Sequence, residues 1–194
     1  MRLGSPIIYI DVDDVLADFT AAFLDRVNKA NGTRFSAADH KDYNFSCVIP
    51  EGDRWERYIP DVDFWATLPL HPWAEDLMQA VWKTGLPYAF LSGIPFGNAF
   101  DGRKIWLDSH FDNGGKFRPH ERLVLALEKQ FVVTAKDILI EDSPRQIAAC
   151  RSLGATVLAI THPWNQEVQD THPGHEIAGL LPEACRRAIT LFSH

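Results

Sequence analysis

The sequence predicts an α/β protein built on a parallel sheet, and three observations carry that prediction. Short β-type runs alternate with helical segments. Four of the five runs are almost uninterrupted apolar stretches, as in strands covered on both faces. The alternation breaks once, over about 45 residues that hold no convincing strand.

The runs span residues 6–10, 87–91, 122–127, 137–140 and 155–160, the third being slightly less clean than the others. From residue 15 to 28, Val15, Leu16, Phe19, Phe23 and Val27 follow a helical period. Residues 75–84, closed by Gly85, and 103–110 read as further helices. Residues 144–153 have Ser143 as N-cap, Pro144 at the first helical position and Gly154 beyond the end. This order predicts a parallel, five-stranded, Rossmann-like sheet flanked by helices. The interruption carries Tyr43, Phe45, Trp55, Tyr58, Phe64, Trp65 and Trp73 together with Pro50, Pro60, Pro69 and Pro72. A structureless loop of that length is unusual in a compact domain. A small helical cap between the first and second strands is expected, giving a core of residues 1–18 and 75–194 and a cap of 19–74.

The chain has 194 residues and a formal net charge of −7. That charge argues against a basic face for polymeric nucleic acid. A small anionic substrate stays compatible with it if a metal ion or a few local cations neutralise the site. Cys47, Cys150 and Cys185 are odd in number and lack CxxC spacing, so neither a disulfide framework nor a zinc ribbon is indicated. No apolar run approaches the ~18 residues of a membrane span and no leader opens the chain, so a cytoplasmic location without membrane contact is expected. His162, His172 and His175 cluster loosely, with no HExxH spacing. The absence of Walker A and GxGxxG patterns disfavours an ATPase or a dehydrogenase.

The chemistry concentrates in IIYIDVDDVLADF, residues 7–19, where Asp11, Asp13, Asp14 and Asp18 follow the first apolar run. At ~4 Å and an effective dielectric of ~20, two carboxylates repel by about 4 kcal/mol. A second acidic pair, Glu141-Asp142, ends the fourth run. Ligands of open α/β sheets bind outside the carboxyl ends of the strands, so both clusters project toward one crevice. Hard oxygen ligands of this kind suit Mg²⁺. Asp13 or Asp14 could instead cap a helix starting near Val15, and Asp142 or Ser143 the next one. Capping leaves Asp11 and the coincidence of two clusters unexplained. Ser92-Gly93 at the end of the second run offers a hydroxyl and backbone N–H groups to an oxyanion. Lys104, with Arg103 beside it, could reach a phosphate; Lys116 and Lys129 compete for that role.

At these residues the sequence resembles the haloacid dehalogenase superfamily of phosphatases. The DxDxV/T signature reads Asp11-Val12-Asp13-Asp14-Val15, followed by Ser92, Lys104 and the pair Glu141-Asp142. Within the superfamily, DVDDVLADF and VDFWATLPLHPWA, residues 62–74, most resemble the 5'(3')-deoxyribonucleotidase family. The resemblance implies Asp11 as a nucleophile forming an aspartyl-phosphate and Asp13 as general acid and base. It implies Mg²⁺ on Asp11, the Asp13 carbonyl and Asp142, with Glu141 orienting that shell. Ser92 and Gly93 would bind phosphoryl oxygens and Lys104 would neutralise charge, although alignment on Trp106 puts Arg103 in its place. Phe19, Phe45 and Trp65, with Tyr43 or Phe64, would contact the substrate's base, while aromatics of this segment also suit a subdomain core.

Three departures stand out. Asp14 replaces a glycine, Ser92-Gly93-Ile94-Pro95-Phe96 lacks a hydroxyl and a lysine, and Glu141-Asp142-Ser143-Pro144 lacks an arginine. The expected activity is Mg²⁺-dependent phosphomonoester hydrolysis on a nucleoside monophosphate. A sugar phosphate or other small phosphate is the alternative substrate, and a non-catalytic phosphate-binding protein the alternative class. A homodimer stays open.

Overall fold

The computed structural model describes residues 5–93, 97–112, 114 and 118–191. Six parallel strands form one sheet: β1 (Ile8–Ile10), β2 (Tyr88–Ser92), β3 (Leu123–Leu125), β4 (Ile138–Glu141), β5 (Thr156–Ile160) and β6 (Thr171–His172). Their order is β3-β2-β1-β4-β5-β6. The parallel α/β expectation holds, but the sheet has six strands rather than five. The extra strand is two half-exposed residues at the sheet edge, too short and too polar to produce an apolar run.

The helices are α1 (Phe19–Asn31), α2 (Val62–Ala66), α3 (Ala74–Lys83), α4 (Gly97–Phe111), α5 (Pro144–Ser152) and α6 (Gly174–Leu191). Strand alternation sorts the core into two layers. Ile8, Ile10, Ile138, Ile140 and Phe90 join buried residues of α1, α3, α4 and α6, whereas Tyr9, Leu91 and Leu139 face α5 through Cys150. Burying one such aliphatic side chain contributes about 1.5–3 kcal/mol, so the larger layer dominates stability. Sequence reading offered no helix for α6, although Ile177, Leu181, Ala184, Cys185 and Ala188 make one buried helical stripe.

The first helix begins four residues later than its apolar period suggests. Asp18, not Asp13 or Asp14, is its N-cap, with Oδ1 accepting from the Ala21 N–H at 3.0 Å. Residues 12–17 instead form a tight loop in which the Leu16 and Ala17 N–H groups donate to the Val12 carbonyl at 3.0 and 2.8 Å. Val15 and Leu16 are fully buried, so their apolar spacing reflects a packed loop rather than a helical face.

Between α1 and α3 the chain makes short 3-10 turns at residues 37–39 and 55–58 and the five-residue α2. Two contacts fix this segment. Gly102 lets α4 approach α2, since a Cβ there would lie 2.4 Å from Trp65 Cβ and 2.5 Å from the Val62 carbonyl oxygen. The Trp106 indole N–H donates to the Leu68 carbonyl at 2.6 Å.

Candidate active site

The sheet order places the site. From β1 the chain builds β2 and β3 on one side, then crosses to β4 on the other, so the β1–β4 boundary is a topological switch point. Ile10 pairs with Ile140 in register, and the Asp11 N–H donates to the Ile140 carbonyl at 3.0 Å. One residue further, Asp11 and Glu141 therefore emerge side by side.

Asp11, Glu141 and Asp142 are all buried and bring ligating oxygens within 4.8 Å of one another. Asp11 Oδ1 accepts from the Val12 N–H at 2.7 Å. Burial, with Glu141 adding to it, pushes the Asp11 carboxyl up to about 7 against the pull of Lys129. Asp142 is raised too, again by burial first and then by Glu141 and Asp11. Glu141 Oε1 accepts from the N–H groups of Asp142 and Ser143 at 3.2 and 2.9 Å. Asp142 is steadied from the loop after β5: Trp164 donates its indole N–H to Oδ2 at 3.0 Å, and Asn165 Nδ2 donates to the Asp142 carbonyl at 2.8 Å.

The lysine of this cluster is Lys129, with Nζ 2.9 Å from Asp11 Oδ2 and 2.6 Å from Glu141 Oε2. The expectation for Lys104 is corrected by helix geometry. Neighbours on a helix point about 100° apart, and on α4 it is Arg103 that turns inward. Lys104 pairs with Asp101 at 2.9 Å on the outer face. Arg103 is fully buried, places Nη2 2.7 Å from both Asp13 oxygens and lies over the Trp65 ring at 5.1 Å. Burial raises the Asp13 carboxyl, and Arg103 pulls it back down. Lys116 lies outside the described residues, as do Ile94, Pro95 and Phe96.

Ser92 and Gly93 sit at the same edge. Ser92 Oγ is buried without a hydrogen-bond partner among the described residues. Gly93 lines two adjoining cavities. The smaller, about 270 Å³, holds Asp11, Lys129, Ser143 and Arg145. The larger, about 310 Å³, is walled by Phe19, His40, Phe45, Trp55, Trp65 and Trp164. Asp13, Tyr43, Asn44, Gly93 and Leu127 border both. Phe19, Phe45 and Trp65 thus reach the larger cavity while packing on one another, with Phe19 5.4 Å from Trp65 and 5.8 Å from Phe45.

Asp14 is accounted for by its backbone. Its φ of +53° falls in the left-handed region, which glycine enters freely and aspartate better than most residues. Its carboxylate accepts from the Thr20 N–H and hydroxyl, both at 2.9 Å, and its carbonyl accepts from His162 Nε2 at 2.7 Å.

The family model for 5' nucleotidase, deoxy (pyrimidine), cytosolic type C proteins matches residues 5–179. The chain belongs to this family. Solved structures agree on the fold. A haloacid dehalogenase family hydrolase from Deinococcus radiodurans, with bound phosphate and sodium, is 18% identical with a TM-score of 0.57 over 93% of this chain and 96% of that one. A haloacid dehalogenase-like hydrolase from Streptococcus pneumoniae is 16% identical with a TM-score of 0.60, covering 92% and 98%. A putative beta-phosphoglucomutase from Thermotoga maritima is 18% identical with a TM-score of 0.55, covering 92% and 99%. No curated protein sequence matches the chain significantly. The chain is accordingly an enzyme, a phosphatase of the nucleotidase family, and its fold is the one seen in haloacid dehalogenase-type hydrolases.

Membership sharpens what the residues can do. Three carboxylates and one ammonium leave the cluster with two formal negative charges, and its possible metal-ligating atoms are all carboxylate oxygens. That set fits a hard divalent cation. Sequence reading named Lys129 only as a competing cation and missed Arg145, His40, Asn44 and Leu127. Lys129 had a usable signal: it follows β3, whose C-terminal end lies at the edge that carries Asp11, whereas Lys104 lies inside a helix.

Proposed function

We propose that the protein is a Mg²⁺-dependent phosphomonoesterase that works through an aspartyl-phosphate and takes nucleoside monophosphates. The observation that carries this reading is the adjacency of the two cavities. A phosphate entering the smaller one meets Asp11 and Lys129, and its organic group extends past Asp13 into the aromatic one. Residues 19–74 act in this reading as a cap, since they supply Phe19, His40, Tyr43, Asn44, Phe45, Trp55 and Trp65 to the walls. A nucleobase suits such walls because stacking on aromatic rings contributes about 1–3 kcal/mol per base.

Asp11 attacks phosphorus, the ester P–O bond breaks, and Asp13 gives its proton to the departing alkoxide. Water then attacks the aspartyl-phosphate, Asp13 takes the proton, and the bond to Asp11 breaks to release inorganic phosphate. Asp13 needs a proton at the start, so the balance between its burial and its Arg103 contact sets the fraction of competent enzyme. Lys129 holds the Asp11 carboxylate in place and opposes the charge gathering beside it. The Asp11 and Asp142 side chains with the Asp13 carbonyl would hold Mg²⁺. When bound, Mg²⁺ neutralises the buried carboxylates and phosphoryl oxygens.

A cytoplasmic location follows the cytosolic type of the family, and among the described residues no helix is long and apolar enough to cross a membrane. The test is steady-state kinetics with Mg²⁺ on nucleoside 5'- and 3'-monophosphates against sugar phosphates. Nucleotide preference in kcat/KM of roughly a hundredfold is expected, about 2.7 kcal/mol. Equal rates on sugar phosphates would remove the nucleotide assignment, and no Mg²⁺-dependent phosphate release from any ester would remove the hydrolase.

A further inference from the structure

We infer that Arg145 is the cation that receives the substrate's phosphoryl group, and that Glu128 competes with the substrate for it. This rests on the phosphomonoesterase reading and adds a recognition device that the motif residues do not contain. A phosphate approaching Asp11 enters a cavity already rich in negative charge, so beside a bound Mg²⁺ it calls for cations at the walls. Among the described residues lining the smaller cavity, those cations are Lys129 and Arg145.

Lys129 is not free to change partners. It is 3% exposed and its ammonium is fixed between Asp11 and Glu141. Arg103 next door holds Asp13 through Nη2, is fully buried against Trp65, and lines neither cavity. Arg145 differs. It lies in the first turn of α5, its side chain is 71% exposed, and it pairs with Glu128 at the surface. Exposed ion pairs contribute only about 0–1 kcal/mol, so this one exchanges readily. A guanidinium fork also matches phosphate oxygens in two parallel hydrogen bonds, as it matches a carboxylate. The phosphoryl group and the Glu128 carboxylate are therefore rivals for the same donor.

The frame that presents the pair is rigid. Gln146, beside Arg145, accepts from the Lys129 N–H at 3.0 Å and donates to the Leu127 carbonyl at 2.8 Å. That clamp ties residues 127–129 to the start of α5. Glu128 and Arg145 consequently face each other at the rim of the pocket that holds Asp11.

The two partners should move affinity in opposite directions, which an ordinary structural ion pair would not do. In the Mg²⁺-loaded enzyme, Arg145→Gln should raise KM and the inhibition constant of inorganic phosphate roughly tenfold or more. Arg145→Lys should fall between that variant and the wild type. Glu128→Gln should lower both constants about threefold, because the competitor is gone. The thermal shift induced by inorganic phosphate should follow the same order and needs no turnover. Changes below twofold, shifts in the same direction for both variants, or no phosphate-induced shift in the wild type would overturn the inference. If the wild type hydrolyses no ester while the phosphate shifts keep this order, the enzymatic reading falls and the Arg145 assignment stands.

Discussion

Two groups of potential ligands lie at one short loop, and they differ in kind. Asp11, Glu141 and Asp142 bring their oxygens within 4.8 Å of one another, and so do Asp14, Asp18 and His71 with their ligating atoms. The first group surrounds the Lys129 ammonium and borders the smaller cavity through Asp11. The second has its carboxylates engaged locally, Asp14 by Thr20 and Asp18 by the Ala21 N–H, while His71 stacks 4.2 Å from Trp73 with Nε2 3.9 Å from Asp14 Oδ1. Close carboxylates alone do not distinguish a reaction site from a folding device. What separates them is a buried cation shared between two strands against hydrogen bonds closed within one loop and helix.

The largest test of this contrast is Asp11→Asn. Turnover should drop roughly a thousandfold or more with the melting temperature held or raised, since a repelled buried carboxylate is removed. Measurable turnover near wild type would dissolve the distinction. Lys129→Met should come next in severity. It leaves Asp11 and Glu141 without their counter-charge, costing about 3–5 kcal/mol in denaturant unfolding and abolishing activity.

pH acts on Asp11 and on His162 with opposite signs. Asp11 titrates at about 7 in the folded chain against an ordinary 3.8, so its contribution is present below 3.8 and lost as pH rises through 7. With chelator present, melting temperature should fall between pH 5 and pH 8, and Mg²⁺ should restore it. His162 behaves the other way. Burial lowers it from 6.5 to about 4, so stability present above 6.5 is lost as pH falls toward 4, at most about 3 kcal/mol. His162→Gln should flatten the acid side of a melting profile while leaving the alkaline slope in place. The smallest effect belongs to Asp18→Ala, which removes the cap of α1 for about 1 kcal/mol and leaves kcat within twofold, read by urea unfolding and initial rates.

The resemblance predicted a glycine where Asp14 stands, and the backbone explains why the exchange is tolerated. A residue at φ +53° followed by a hydroxyl at Thr20 turns a conformational cost into two hydrogen bonds. Neither φ nor the Thr20 contact is visible in the linear order. The start of α1 failed for a related reason. Val15 and Leu16 satisfy a helical period, yet the Ala17–Leu70 bridge and the Asp14 turn hold them in a loop.

Linear sequence determined the layout of the chemistry. Apolar runs fix where strands end, and in a parallel sheet all the ends of one sense lie on one edge, so Asp11, Ser92, Glu141 and Asp142 had to meet there. It also determined that an aromatic-rich segment enters between β1 and β2. The tertiary structure decided which charges became partners. Whether Arg103 or Lys104 turns inward depends on how α4 is rotated, and that rotation is set by Gly102 against Trp65 and Trp106 against Leu68. Lys129 finds Asp11 across 118 positions of sequence only because β3, β2, β1 and β4 stand in that order. Local pattern specifies elements, whereas pairing of buried charges follows from packing contacts that no local pattern contains.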